Sequence, residues 1–340
     1  MYTSSAGRIG SRLFLLGCLA ASLVDCAQAQ TVLQIASAYP EDNFQTRNLQ
    51  QFAAEVKAAI GDDLRLVIHP NGSLAKPADI YPQAVTGKIG GGEVLMSSLE
   101  SISPLYGVDS IPFLVSGYDD AQRLWRTSRP GIEKRFNQDG LQLLYVAPWP
   151  PQNLYATHSL GRISDARGLR MRTYNPATEK ISRFIGAKPV LFQVIELEKA
   201  IAENKIDLML TSSWTGVQTK AWTGMKYYYV VNTWIPKNAI FMNKAVFDRL
   251  PPDSAAKLKQ LAASAEQRAW DLCKQKDQEF EATLKENKVT ISSDIPYLLD
   301  DFRRLGEKLA REWLKNAGVE GSQLLINYEM ETIHRTEASR

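Results

Sequence analysis

Residues 161–178 hold the most suggestive chemistry of the chain, a short strand that ends against the start of a helix. Residues 169–174 alternate between apolar and polar side chains, which is the two-residue period of a strand. Asn175 can cap a helix whose first residue is Pro176. Arg172, near the exit of the strand, carries a fork of donors that matches a carboxylate, and the nearby helix N-terminus adds partial positive charge. The stretch therefore predicts a site for an anion.

Little in the rest of the chain could do catalytic chemistry. The three histidines, His69, His158 and His334, are scattered, and no HExxH, CxxC or G-x-S-x-G pattern occurs. Gly90-Gly91-Gly92 is not followed by the Lys-Ser/Thr of a phosphate loop, so it indicates a plain turn. Cys273 falls within a helical pattern and is more typical of a core residue than of a nucleophile. The sequence favours binding over catalysis and predicts no metal site.

The composition is that of an ordinary folded protein. The chain has 340 residues, which is enough for two domains with sizeable cores. Hydrophobic residues make up 44% of it and charged residues 23%, which is typical of soluble globular proteins. The formal net charge of +3 is too balanced to indicate nucleic acid or an anionic membrane surface as partner.

The N-terminus has the pattern of a secretory signal peptide at residues 1–29. Arg8 and Arg12 precede the apolar run 13–24, which is too short to span a membrane, and Ala27-Gln28-Ala29 forms a small-x-small cleavage site. A membrane anchor is the less favoured alternative, and the two cysteines of this region fit a lipidation site poorly. Cleavage would leave the mature chain with one cysteine and therefore with no internal disulfide. We expect export to the periplasm.

The order of the predicted elements indicates an α/β protein with two domains. Residues 31–97 follow the order strand, helix, strand, helix, strand, which predicts a layered α/β domain. The prolines within 148–151 fix an extended path and suit a crossover into a second domain. Residues 254–287 contain no Gly or Pro and keep helical spacing, so we expect one helix of about 50 Å. That length exceeds what one small domain needs.

These features resemble one family of binding proteins. The strand at 169–174, with Arg172 near its end, is similar to the conserved core of the DctP-type solute-binding proteins of TRAP transporters, and Pro112-Phe113-Leu114 matches a recurrent segment of that family. The resemblance covers nearly the whole mature chain. It implies a two-domain periplasmic binding protein fold, a type II-like clamp with mostly parallel sheets and a long helix spanning both domains. It also implies that Arg172 grips a ligand carboxylate.

The crossovers and the chain path of the family together suggest a domain division. Residues 238–243 resemble the return strand of the family to its first domain. The polar composition of the last ten residues indicates a frayed end. We expect a signal peptide at 1–29, domain I at 30–149 plus about 238–277, domain II at 150–237 plus about 278–330, and a disordered tail at 331–340.

One departure from the family bears on the ligand. Many members have a second arginine twenty residues before the first, and that position here is Gln152. Glutamine offers one acceptor and two donors but no charge. The resemblance therefore implies a monocarboxylate with a hydroxyl, keto or aromatic group more than a dicarboxylate or a sialic-acid-like ligand.

The remaining candidates come from strand ends, crossovers and aromatic residues near loops. Residues 211–213 follow a predicted strand, where binding loops of α/β folds gather. Asn238 could bond a ligand or cap its strand, and each aromatic residue could equally belong to the core. The predicted ligand-binding residues are Arg172, Gln152, Tyr174, Asn175, Thr211, Ser212, Ser213, Trp214, Trp234 and Asn238. Trp149, Tyr39 and Tyr155 are weaker candidates.

The resemblance implies a periplasmic receptor of a TRAP transporter. Two domains would close on a small organic acid, and the closed form would dock on the membrane subunits of the transporter. We expect a monomer that binds no nucleic acid and needs no cofactor. The alternatives are a binding protein of an ABC importer or of a sensor system and, less favoured, an exported α/β enzyme.

Overall fold

The computed structural model describes residues 1–3 and 31–338. The predicted signal peptide therefore lies outside the described residues except for its first three, and so do residues 339 and 340. The strands are β1 Val32–Ser37, β2 Arg65–His69, β3 Gly91–Leu95, β4 Leu141–Pro148, β5 Gln152–Ala156, β6 Arg170–Thr173, β7 Lys188–Leu191, β8 Leu208–Ser212, β9 Tyr227–Tyr229, β10 Lys237–Asn243 and β11 Thr290–Ser292. The helices are α1 Phe44–Ile60, α2 Ile80–Val85, α3 Tyr118–Gln138, α4 Pro176–Phe184, α5 Val194–Ala202, α6 Ser213–Gln218, α7 Lys244–Phe247, α8 Pro252–Glu286 and α9 Pro296–Ala338.

The first sheet has the strand order β2-β1-β3-β10-β4. Strand β1 pairs in parallel with β2 and β3, whereas β10 runs antiparallel between β3 and β4. Helix α1 covers this sheet because Leu49, Phe52 and Val56 fall on one helical face and are buried in its core. Strand β10 comes from a distant part of the chain, so the first sheet depends on a return crossover.

The second sheet has the strand order β11-β9-β5-β8-β6-β7. Strand β6 pairs in parallel with β7 and β8, and β9 with β11, whereas β5 is antiparallel to β8 and β9. Both sheets are therefore mixed, which differs from the mostly parallel sheets expected from the sequence. The antiparallel strands β5 and β10 each enter a sheet directly from the other one, so no crossover helix sets their direction.

Two extended segments connect the sheets side by side. Strand β4 ends at Pro148 and β5 begins at Gln152, while the chain returns through Trp234 and Pro236 to β10. The Trp149 N–H donates to the Pro236 carbonyl and the Gln152 N–H to the Trp234 carbonyl, each at 2.9 Å. We call the parts built around the first and second sheets the first and second lobes. A narrow paired connection suits movement of one lobe against the other, and the domain boundaries given above stay a prediction.

Helix α8 runs along both lobes. It has 35 residues and is therefore about 50 Å long, as the sequence predicted. Leu258 and Ala265 pack in the core of the first lobe, and Leu284 packs in a core of the second. The helix contacts α1 and β4 on one side and α6 and β11 on the other. The predicted α/β fold with a long spanning helix is confirmed.

Helix α9 ends the described part of the chain. Gly318 interrupts it with a φ of 60°, a conformation that side chains resist and glycine accepts. The backbone of residues 331–338 is helical, which differs from the disordered tail that the sequence predicted there. Within the described residues, no helix combines the length and the apolar character needed to cross a membrane.

The glycine run that the sequence indicated as a plain turn enters strand β3 at Gly91. A Cβ on Gly91 would overlap the carbonyl oxygen of Phe241 and would lie 2.8 Å from the Cα of Met242. Strand β10 therefore reaches its place beside β3 only because this position lacks a side chain.

We predict that Gly91→Ala lowers the free energy of unfolding by about 1–3 kcal/mol, because an added methyl group must push two paired strands apart. Urea denaturation of the mature chain measures this change. Gly117→Ala is the matched control, since its Cβ would have nothing within 4 Å and its φ of 170° is ordinary extended backbone. Equal stability of Gly91→Ala and the wild type would contradict the close packing of the two strands.

Candidate functional site

A cavity of about 400 Å³ lies between the two lobes. Its polar wall is formed by residues at the ends of β1, β6 and β8, by residues of β3 and by the first residue of β5. Ligand sites of α/β folds gather at the carboxyl ends of parallel strands, so the position of the cavity follows from the topology. Six of the ten residues predicted from the sequence line it: Gln152, Arg172, Tyr174, Asn175, Thr211 and Ser212.

Arg172 is a buried cation on this wall. Its side chain is 3% exposed. The Nε–H donates to the carbonyl of Phe192 at 3.0 Å, and the guanidinium lies 4.4 Å from the ring centroid of Tyr174. Among the residues that the structure describes, no carboxylate lies within 4 Å of the guanidinium. The positive charge is therefore held by a ring face and one carbonyl but has no anionic partner.

Burial lowers the pKa of Arg172 to about 10. The guanidinium still carries its charge at neutral pH, but solvation that water would supply is missing. An anion that enters the cavity would replace this solvation with two parallel N–H···O bonds, which is the geometry that a carboxylate offers. The site can therefore bind a carboxylate tightly and in one orientation.

Tyr174 and Gln152 hold Arg172 in position on the cavity wall. The Tyr174 hydroxyl donates to the Gln152 Oε1 at 3.0 Å, and the Gln152 Nε2 donates to the carbonyl of Pro150 at 2.8 Å. These bonds fix the plane of the tyrosine ring on which the guanidinium lies. Gln152 thus occupies the cavity wall as the sequence predicted, and part of its hydrogen-bonding capacity holds an aromatic neighbour.

Asn175 connects the second lobe to the first. Its Oδ1 accepts from the backbone N–H of Thr178 at 2.9 Å, which is the helix cap that the sequence predicted. Its Nδ2 donates to the Ser97 Oγ of the first lobe at 2.9 Å. Lys180 and Glu100 form a second contact between the lobes at 3.0 Å, so the structure has the closed form of the clamp.

The three predicted residues at the end of strand β8, residues 211–213, separate into two groups. Thr211 and Ser212 line the cavity, and the Ser212 Oγ also accepts from the Thr215 N–H at 3.1 Å to cap α6. Ser213 points away from the cavity and donates to Asp277 Oδ1 on helix α8 at 2.6 Å. The structure thus places Ser213 outside the cavity because α6 begins at this residue and turns it toward α8.

Two of the predicted aromatic residues also lie outside the cavity lining. Trp214 packs edge-on against Phe44 at 5.4 Å and against Phe280 at 4.7 Å, so it fills the space between the two lobes and helix α8. Trp234 is fully buried in the core of the second lobe. For both residues the structure favours the core alternative that the sequence left open.

Asn238 lies directly behind the lining. Its Oδ1 accepts from the Tyr39 hydroxyl at 3.0 Å and from the Trp149 indole N–H at 2.8 Å, and its Nδ2 donates to Glu93 Oε1 at 2.8 Å. Tyr39, Trp149 and Glu93 all line the cavity. Asn238 therefore organises three wall residues instead of facing the cavity itself.

Glu93 is the polar residue that sequence reasoning missed. It lies on the central strand β3, its side chain is fully buried, and it lines the cavity. The pKa of its carboxyl group is raised, because the effect of burial outweighs that of the hydrogen bonds from Ser37 and Asn238. The available signal was an acidic residue directly before the apolar run that starts at Val94, where a buried strand has no place for a charge unless it is used.

The apolar part of the wall was also missed. Tyr81, Leu95, Leu99 and Ile102 contribute to it, and they come from helix α2, from the end of β3 and from the segment after β3. Their sequence pattern is that of ordinary core residues, so only the tertiary structure distinguishes them. Among the described residues there is no group of three or more His, Cys, Asp or Glu side chains that could hold a metal ion.

A two-lobed α/β clamp that has closed over a buried cation is the architecture of a solute-binding protein. The sequence matches the family model DctP, bacterial extracellular solute-binding protein, family 7, over residues 35–316. The structure is similar to that of DctP7 of Bordetella pertussis, an extracytoplasmic solute receptor binding pyroglutamic acid. The TM-score is 0.86, the identity is 34%, and 88% of this chain and 99% of that chain are covered.

Two further relatives extend this comparison. A marine metagenome TRAP solute-binding protein specific for pyroglutamate has a TM-score of 0.86 and 28% identity, with 88% of this chain and 99% of that chain covered. A solute-binding protein of Albidiferax ferrireducens is 26% identical over 275 residues, which is 77% of this chain and 81% of that protein. The chain belongs to the DctP family.

The comparisons confirm the resemblance, the fold and the receptor function. The protein is a solute receptor of the TRAP type that binds a small organic acid, and its relatives are periplasmic receptors, not enzymes. TRAP receptors work with membrane components. An ABC or sensor system is therefore set aside in favour of a TRAP transporter.

We predict that Arg172→Met raises the stability of the ligand-free protein by about 1–2 kcal/mol, because it removes a buried charge that lacks a partner. Thermal or urea unfolding of the mature chain measures the change. Arg170→Met is the matched control on the same strand. Its guanidinium is partly exposed and paired with Asp207, so its loss should not raise stability. A clear loss of stability in Arg172→Met would contradict the unpaired state of that charge.

Proposed function

We propose that this protein is the receptor for pyroglutamate, or for a cyclic monocarboxylate of the same size and polarity. The observation that carries the proposal is the single cation on the cavity wall. Among the described residues that line the cavity, Arg172 is the one basic residue, and one guanidinium matches one carboxylate. DctP7 binds pyroglutamic acid and the metagenome receptor is specific for pyroglutamate, which supports the same ligand class.

The position of Gln152 favours a monocarboxylate over a dicarboxylate. A second ligand carboxylate would meet an uncharged amide that already donates to Pro150 and accepts from Tyr174. Burying a second negative charge without a cation costs more than a hydrogen bond returns. A compact acid whose remaining atoms are a ring and an amide suits the mixed polar and apolar wall.

Closure of the clamp would couple binding to transport. The ligand would contact Glu93 and Tyr39 of the first lobe and Arg172 of the second lobe, so it favours the form in which the lobes meet. The contact between Asn175 and Ser97 then closes over it. The closed receptor would dock on the membrane subunits of a TRAP transporter and release the acid when the lobes separate.

Several finer features belong to the same proposal. The protein is exported by cleavage of residues 1–29, acts in the periplasm as a monomer and carries out no catalysis. Domain I comprises residues 30–149 and about 238–277, and domain II comprises 150–237 and about 278–330. Gel filtration with light scattering, N-terminal sequencing of the periplasmic form and a turnover assay with the bound acid would each test one of these features.

The proposal predicts that L-pyroglutamate raises the melting temperature of the mature chain, whereas succinate and malate at the same concentration do not. At about 100 times its dissociation constant, a ligand stabilises the folded state by about 2.7 kcal/mol. We expect Arg172→Met to lower the affinity at least about 100-fold, because the ligand carboxylate loses its charged partner. Differential scanning fluorimetry followed by isothermal titration calorimetry provides both measurements.

Arg170→Met is again the control and should keep wild-type affinity, because its guanidinium pairs with Asp207 and does not line the cavity. Pyroglutamate binding that survives unchanged in Arg172→Met would contradict the role of that residue. Tighter binding of a dicarboxylate than of pyroglutamate would contradict the ligand class.

A further inference from the structure

We propose that Glu93 accepts a hydrogen bond from an N–H group of the ligand and thereby restricts this receptor to acids that carry such a group, with a lactam as the best match. The inference rests on the proposed function, namely that the cavity binds a pyroglutamate-like acid. It assigns the specificity to a residue in the lobe opposite Arg172.

Glu93 and Arg172 face the same cavity from different sheets. Glu93 belongs to β3 of the first sheet and Arg172 to β6 of the second. Burial is the main cause that raises the pKa of Tyr39, and the charge of Glu93 raises it further while that of Arg172 lowers it. Tyr39 lines the same cavity as both charged residues. In the proposed binding mode one small ligand contacts Glu93 and Arg172 together.

The hydrogen-bond network fixes the direction of the first contact to Glu93. The Trp149 indole has only a donor, so the oxygen of the Asn238 amide must be the atom that faces it at 2.8 Å. The Tyr39 hydroxyl donates to the same oxygen at 3.0 Å. The Asn238 Nδ2 consequently faces Glu93, and Oε1 of Glu93 accepts from it at 2.8 Å.

Ser37 makes the second hydrogen bond to the Glu93 carboxyl group. Its Oγ accepts from the backbone N–H of Tyr39 at 3.3 Å and donates to Oε2 of Glu93 at 2.6 Å. In the ionised form of Glu93 both carboxylate oxygens accept one of these hydrogen bonds, and each keeps a lone pair. In the part of the chain that the structure describes, no cation lies within 4 Å of Glu93. Glu93 thus lines the cavity with acceptor capacity left on its carboxylate and no cation beside it.

A carboxylate that can accept one more hydrogen bond discriminates between ligands of equal shape. A lactam N–H would donate to Glu93, whereas the ring oxygen of a lactone would place two acceptors face to face. A site built around a hydrogen bond rejects an analogue that lacks the partner much more strongly than an apolar pocket rejects a missing methylene group. Pyroglutamate places its N–H on the atom next to the carbon that carries the carboxylate, so Arg172 and Glu93 can be satisfied together.

The test compares L-pyroglutamate with its lactone isostere, 5-oxotetrahydrofuran-2-carboxylate, by isothermal titration calorimetry on the mature chain. We expect the wild type to bind the lactam about 100-fold or more tightly than the lactone. In Glu93→Gln the Oε1 can still accept from Asn238, and the amide then offers both a lone pair and an N–H to the cavity. We therefore expect the preference of this variant to fall to about 10-fold or less.

Glu266→Gln is the matched control for the loss of a buried carboxyl group. Glu266 lies on α8 and bonds Trp125 and the Val146 N–H, away from the cavity lining, so this variant should keep the wild-type preference. Because the readout is a ratio of two affinities in one sample, partial misfolding does not alter it.

Each outcome has one meaning. A wild-type protein that binds lactam and lactone within about threefold would overturn the role of Glu93 and leave the proposed function intact. A wild type that discriminates and a Glu93→Gln variant that discriminates equally would also overturn it. Failure of the wild type to bind pyroglutamate at all would overturn the proposed function, and this inference with it. If Glu93→Gln does not fold, the wild-type comparison still keeps the proposal falsifiable.

Discussion

The structure depends above all on a buried positive charge that its own chain does not neutralise. Arg172 is 3% exposed, and burial lowers its pKa to about 10. A charge in that position is costly, so the surrounding residues hold it in place instead of pairing with it. Tyr174 supplies a ring face, and Gln152 keeps that ring fixed. The resulting site is already oriented before a ligand arrives, and the ligand completes it.

The two-lobed architecture shields this charge from water when the lobes meet and allows the shielding to be reversed when they separate. Paired crossovers allow the lobes to separate, while helix α8 runs along both of them. The wall opposite Arg172 carries the complementary chemistry, because Glu93 is held as an acceptor by Ser37 and Asn238. In the proposed binding mode, a cation from one sheet and an acceptor from the other recognise two neighbouring groups of a small acid. Closure and specificity thus come from the same set of contacts.

The sequence predicted the parts of the site that local rules determine. Arg172 follows from a strand that ends at a helix start, and the Asn175 cap follows from its position before Pro176. Ser213 and Trp214 could not be predicted in the same way, since α6 begins at Ser213 and turns both side chains toward other elements. Glu93 was missed because local sequence rules expect apolar residues in a central strand. Only tertiary contacts explain a charged residue there. The fold was easier to predict, because long periodic segments such as α8 have a strong sequence signal.

The most direct test is a crystal structure of the mature chain grown with L-pyroglutamate. The account predicts one ligand molecule in the cavity between the lobes, with both carboxylate oxygens within about 3 Å of the Arg172 guanidinium and the ring N–H directed at Glu93. A ligand bound with its carboxylate away from Arg172, or bound outside this cavity, would contradict the account.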